Sequence, residues 1–148
     1  MRAVLVLTAC MLLGCDSALT DAGCALDTPD HEIEVKRDLA VDFSNAPKLK
    51  VEACATREGQ SPTCTTAIAN ADGSLGTPED AAHGKLVRTA DGKTRLELVV
   101  HLGEGEPDST TVLVVKVLDE TDKELLKAEG DIHWSDDACN RKPDKRSI

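Results

Sequence analysis

The chain has 148 residues and a formal net charge of −10, with 27 acidic and 17 basic residues. Its length suits one domain with appendages, and its 41% hydrophobic content is too high for a disordered chain. The acidic balance argues against a nucleic-acid partner, because phosphate contacts need clustered lysine and arginine. No apolar run approaches the roughly 20 residues that a membrane-spanning helix requires.

The first segment of the chain is apolar. Arg2 supplies one positive charge, residues 3–13 (AVLVLTACMLL) are almost wholly apolar, and the small residue Gly14 precedes Cys15. This profile is typical of a secretory signal peptide and is too short to cross a bilayer. We therefore predict a signal peptide over residues 1–14. The structural alternative is a buried apolar strand or helix that contains an incidental cysteine.

The residues Leu12-Leu13-Gly14-Cys15 resemble the lipobox of bacterial lipoproteins. The resemblance implies cleavage after Gly14, a diacylglycerol on the Cys15 sulfur, and acylation of the new amino group, with palmitate as an expected fatty acid. Two or three acyl chains anchor a protein stably, whereas one binds only marginally. The expected location is thus the bacterial cell envelope, with the domain in the periplasm or at an equivalent surface. Asp16 does not decide between the inner and outer membranes.

The remaining chain divides into three parts by composition. Residues 15–30 are predicted to be the lipidated cysteine and an acidic tether, and residues 31–139 a β-domain. Residues 140–148 carry four bases and one acid and include Pro143, which predicts a basic tail that frays in solvent. The alternative for this tail is an electrostatic contact with anionic envelope lipid or polymer.

Four cysteines remain once Cys10 leaves with the signal peptide and Cys15 is lipidated: Cys24, Cys54, Cys64 and Cys139. In a small exported domain they suggest two disulfides. A hairpin that turns about Gly59 with residue 55 opposite residue 63 places Cys54 opposite Cys64. Cys24 and Cys139 are then left to join the two ends of the domain. A zinc site is the alternative, but the spacing contains no C-x-x-C pair.

Hydrophobic and polar residues alternate along most of the domain, which predicts β-strands. The predicted strands cover residues 33–43, 49–56, 63–68, 85–88, 96–102, 110–118 and 126–134. Residues 110–118 (TTVLVVKVL) are apolar on both faces and predict a fully covered central strand. Thr77 to His83 is the one segment that suggests helix, with one or two turns that begin at Pro78.

This arrangement predicts an all-β domain. Seven short strands favour an antiparallel β-sandwich of immunoglobulin-like architecture, with a small β-barrel as the second choice. With only two aromatic ring residues, Phe43 and Trp134, the core is expected to consist of Val, Leu, Ile and Ala. Trp134 is expected on the inward face of the last strand.

The residues that carry chemistry are few. His101 and His133 lie on the polar side of their predicted strands, and the two rings would meet and bind a metal ion if those strands were neighbours. Asp136 and Asp137 are possible further ligands. Isolated surface histidines are the favoured interpretation, so no metal ion or other cofactor is predicted. Residues 72–80 hold several possible calcium ligands but lack the EF-hand spacing, which favours a plain loop.

Two classes of function fit these residues. The preferred prediction is a non-enzymatic envelope lipoprotein that binds a protein partner, or takes part in envelope assembly, through its loops and sheet edges. The chain has no G-x-S-x-G motif, and its cysteines are assigned to lipid and disulfides. The alternative is a metal-binding or hydrolytic envelope protein that uses His101, His133 and nearby carboxylates.

Overall fold

The computed structural model describes residues 31–76, 81–103, 105–106, 108–135 and 143–148. The predictions for the signal peptide, the Cys15 lipid, the tether, Cys24 and Cys139 lie outside these residues. Within the described ranges, no helix combines the length and the apolar character needed to cross a bilayer.

Antiparallel strands make up most of the described chain. They are β1 (Glu32–Asp42), β2 (Lys50–Arg57), β3 (Thr63–Ala69), β4 (Ser74–Gly76), β5 (Ala82–Arg88), β6 (Lys93–His101), β7 (Thr110–Leu118) and β8 (Glu124–His133), with a 3-10 helix at Phe43–Lys48. One sheet contains all of them in the order β1-β6-β5-β4-β3-β2-β7-β8 and is nearly closed into a barrel. The all-β prediction is confirmed, and the architecture is the barrel, our second choice, rather than the two-sheet sandwich.

The short strand β4 joins the two halves of the sheet and so makes the architecture a barrel. Its three residues pair with the end of β3 on one side and with Lys85 and Gly84 of β5 on the other. Without it, the three strands β1-β6-β5 would lose their strand pairing with β3-β2-β7-β8 at this point, and the two groups would resemble the two layers of a sandwich. Ser74–Gly76 falls in a predicted loop, because three residues are too few to show an alternating pattern.

Two further boundaries differ from the prediction. Ala82 and His83 belong to β5 and not to a helical turn, while residues 77–80 of that predicted turn lie outside the described chain. Phe43 begins the 3-10 helix instead of ending the first strand. Pro47 lies inside this helix, where its missing N–H suits a short helical turn better than a strand ladder.

The inward faces of the strands form one aliphatic core, as predicted. Its largest fully buried hydrophobic side chains are Ile33, Leu49, Leu86, Leu96, Leu113 and Ile132. Trp134 faces inward, also as predicted, and its indole Nε1 donates a hydrogen bond of 2.8 Å to the buried Thr111 Oγ1. The His31 ring packs edge-on against Trp134 at 5.3 Å between centroids. A Cβ at Gly105 would overlap the indole, so the loop before β7 needs glycine there.

β7 is central, but it is covered on only one face. It pairs with β2 on one side and β8 on the other, and the side chains of Leu113, Val115 and Val117 are fully buried. On the outer face, Val112 and Val114 are only half-buried. The prediction of a fully covered strand is therefore wrong for this outer face.

Residues 143–148 lie between the two edge strands, β1 and β8. The Glu34 backbone N donates to Arg146 O at 2.7 Å, and Ile148 N donates to Glu34 O at 3.1 Å. On the β8 side, Asp144 N donates to His133 O at 2.8 Å. These described residues of the predicted basic tail do not fray; they connect the strands where the barrel would otherwise be open.

Candidate functional site

Three polar side chains form a row on the outer face of β1, β6 and β5. The strand register sets Glu32 directly opposite His101, and the Glu32 Oε1 lies 3.3 Å from His101 Nδ1. The other ring nitrogen, His101 Nε2, lies 3.1 Å from His83 Nδ1. The two ring centroids are 5.1 Å apart. We call this set the Glu32–His101–His83 row.

The row is accessible from solvent. The His101 and Glu32 side chains are 36% and 44% exposed, and His83 is exposed. A carboxylate beside one nitrogen of an imidazole favours a proton on that nitrogen and leaves a lone pair on the other. Glu32 therefore favours the tautomers in which His101 Nε2 is the acceptor and His83 Nδ1–H the donor of the hydrogen bond between the rings.

His133 has different neighbours. Its Nδ1 lies 2.9 Å from Thr110 Oγ1, and its backbone N donates to Asp144 Oδ1 at 3.0 Å. β8 and β6 are not neighbours in the sheet, so the condition for pairing His101 with His133 is not met. Asp136 and Asp137, the further ligands considered for His133, lie outside the described residues.

His83 was not predicted as the partner of His101. The predicted strand begins at residue 85, and His83 falls in the predicted helical turn. The alternation of buried Ala82 and Leu86 with exposed His83 and Lys85 continues the β5 pattern backwards, and this signal would have placed His83 on the outer face.

A pocket of about 330 Å³ opens between β2, β3 and the end of β6. Its polar lining includes Arg57, Gln60, Ser61, Thr63 and His101, and its apolar lining consists mainly of alanine, Val100 and Leu102. The Arg57 guanidinium spans part of this opening and donates from Nη2 to Leu102 O at 3.0 Å. The pocket thus presents hydrogen-bonding groups around a small apolar floor.

A disulfide joins Cys54 and Cys64 on the outer face of β2 and β3. The register pairs these two residues directly and sets Ala55 opposite Thr63, which confirms both the predicted hairpin and the predicted bond. A Glu52 carboxylate oxygen lies within 4.8 Å of both sulfur atoms. Because the disulfide consumes both thiolates, these atoms do not form a zinc site in the oxidised protein.

Several carboxylates are occupied within turns. Asp72 Oδ1 accepts hydrogen bonds from Ser74 Oγ at 2.7 Å and Ser74 N at 2.9 Å, and these bonds hold the Asp72 pKa below its usual value. Asp119 accepts in the same way from Thr121, with the same effect on its pKa. Asp72 was the first possible calcium ligand of residues 72–80; its carboxylate stabilises a turn here, and residues 77–80 lie outside the described chain.

The Thr110–His133 contact brings a hydroxyl and an imidazole together, the first two parts of a nucleophilic site. Asp144, however, accepts its hydrogen bond from the backbone of His133 rather than from the ring. In the Glu32–His101–His83 row a carboxylate lies beside the ring of one imidazole and orients it, so the row is the better candidate site.

Comparison with known proteins finds no relative: no family model, curated protein or solved structure matches the chain.

Proposed function

We propose that this protein is a bacterial envelope lipoprotein, anchored to a membrane through lipid on Cys15. The observation that carries the proposal is the lipobox-like sequence Leu12–Cys15, which follows a charged residue and an apolar segment. The Cys54–Cys64 disulfide supports an exported location, because such bonds persist in oxidising compartments and are rare in the cytosol.

We further propose that the barrel acts by binding a protein partner and not by catalysis. The pocket beside the β2–β3 turn supports this role, since its volume is at the lower end of the range for ligand sites. That size suits a protruding side chain or loop of a partner. Gln60 and Ser61 lie in the turn itself, where they would be the first residues that a docking surface meets.

The anchor is tested by expressing the full chain in bacteria with a clickable palmitate analogue and separating membranes from soluble protein. We expect the wild type to be labelled and membrane-bound, and Cys15→Ser to be unlabelled and not cleaved after Gly14. The matched control is Cys10→Ser, which removes a cysteine of the same segment and should behave as wild type. Labelled, cleaved Cys15→Ser protein would contradict the proposal.

The binding role is tested with a photo-crosslinking amino acid at Ser61 in intact cells. The matched position is Thr121, in the turn after β7 at the opposite end of the barrel. We expect a crosslinked species of defined mass from position 61 and none from position 121. No crosslinked species from position 61, or the same species from both positions, would contradict this use of the pocket.

A further inference from the structure

We infer that His83 and His101 form a binding site for a divalent transition-metal ion of the zinc type, with Glu32 as a positioning residue. The inference goes beyond the proposed lipoprotein function and does not rest on it. It starts from the separation of 3.1 Å between His83 Nδ1 and His101 Nε2.

This separation fits two nitrogens bound to one ion. Zinc–nitrogen bonds are about 2.0–2.1 Å long, so two such ligands are about 3.3 Å apart at the tetrahedral angle and about 2.9 Å apart at a right angle. The observed distance of 3.1 Å falls between these values. In the structure this contact is a hydrogen bond, so both rings must turn until their two lone pairs point at one ion, while the separation of the nitrogens stays the same.

The proton balance of the site is simple. Glu32, 3.3 Å from His101 Nδ1, favours the proton on that nitrogen, which directs the Nε2 lone pair towards His83. When an ion binds, His83 exchanges its proton from Nδ1 to Nε2 through solvent. Both imidazoles are then neutral ligands, and no net proton or electron is gained or lost.

The strands hold the two rings in place. β6 lies between β1 and β5, and the His101 backbone N donates to Ala81 O at 2.9 Å beside His83. Two neighbouring carboxylates on this face form ion pairs with lysine: Glu34 with Lys36 at 3.1 Å and Glu97 with Lys85 at 3.5 Å. The remaining coordination positions are open to water. Imidazole ligands suit zinc, copper and nickel, whereas calcium and magnesium prefer oxygen.

The test is calorimetric titration of the tag-free whole protein with zinc chloride after chelator treatment, with the disulfide kept intact. Reduction would free Cys54 and Cys64 next to Glu52 and create a competing site. We expect His83→Ala and His101→Ala each to weaken zinc affinity by about 10-fold or more, and Glu32→Gln to weaken it by roughly 10-fold. His133→Ala is the matched control, because His133 is an exposed strand histidine outside the row, and we expect no change.

A second measurement tests the role of Glu32. Long-range ¹H–¹⁵N correlation spectra should show His101 protonated on Nδ1 with and without zinc, while the His83 proton moves from Nδ1 to Nε2 on zinc binding. The inference is overturned if the wild type takes up no zinc, or if either row variant binds zinc as the wild type does. An equal loss in His133→Ala would also overturn it, because the effect would then not be specific to the Glu32–His101–His83 row.

Discussion

The barrel is completed at two places by short segments that differ in how they are held. β4 lies between β3 and β5, and its Leu75 is buried in the core at 5% exposure. Residues 143–148 lie between β1 and β8 and depend mostly on backbone hydrogen bonds, with the Ile148 side chain only partly buried. The first closure buries Leu75 within the core, whereas the second, which we call the clasp (residues 143–148), adds only the buried Pro143 and the partly buried Ile148 at the edge of the core. Short pairing segments can therefore contribute very differently to stability.

The largest effect should come from the turn that leads into β4. Gly73 has φ +85°, and a Cβ there would overlap the backbone oxygen of Leu86, whose own N–H donates to Gly73 O at 2.7 Å. We expect Gly73→Ala to lower the free energy of unfolding by about 3 kcal/mol in urea titrations. Gly76→Ala is the control, because a Cβ there meets nothing within 4 Å and should be nearly neutral. Similar losses in both variants would contradict the difference.

The clasp should matter less. Removal of residues 143–148 abolishes the hydrogen bonds to Glu34 and His133, which together should contribute about 2 kcal/mol to stability. The barrel is expected to remain folded, because most residues of the hydrophobic core belong to strands β1–β8, which the shortened chain keeps. The exposed edges of β1 and β8 should promote self-association, measurable by light scattering. A shortened chain that unfolds completely would show that the clasp is as essential as β4.

Gly130 tests how the clasp is held on β8. A Cβ at this position would lie 2.5 Å from Ile148 Cγ2, so the Ile148 side chain must move away. We expect Gly130→Ala to cost about 1 kcal/mol in the whole chain. In the chain without residues 143–148 this contact is absent, so the same substitution should not lower the free energy of unfolding by this route. A double-mutant cycle measures the difference, and additive losses would contradict the contact.

The smallest effect concerns pH at the β4 closure. The Asp72 pKa is lowered, chiefly by the hydrogen bond from the Ser74 side chain and then by that from its backbone. A lowered pKa means that the stabilisation is complete well above 3.8, the ordinary value, and is lost as the pH falls through the folded-state pKa. We expect Asp72→Asn, which does not titrate, to flatten the acid side of the stability profile slightly. Identical profiles for both proteins would contradict this role.

Much of the fold was predictable because local pattern determines it. The turn about Gly59 and the alternation on either side of it predicted the register that joins Cys54 to Cys64, and the same alternation predicted an inward Trp134. β4 was not predictable in this way, because three residues carry no period. The sandwich was preferred because seven short strands are typical of it, and the eighth strand, β4, is the one that connects the two halves.

The contact between His83 and His101 was only half predictable. His101 was identified as a strand residue on the polar face, but its partner depends on the pairing of β5 with β6, which sequence alone does not supply. His83 and His101 are separated by 18 residues and meet diagonally across two strands. A search for motifs by sequence spacing finds residues that lie close together on one helix or strand. It does not find residues such as these, which come together only when two strands pair.

The most direct test of the central claim is the intact mass of the protein extracted from bacterial membranes, before and after reduction and thiol alkylation. A lipid-anchored, oxidised envelope domain predicts loss of residues 1–14 and a gain in mass from acyl chains. It also predicts alkylation of Cys24, Cys54, Cys64 and Cys139 only after reduction. A chain that keeps residues 1–14, carries no acyl group and reacts with alkylating agent before reduction would contradict the account.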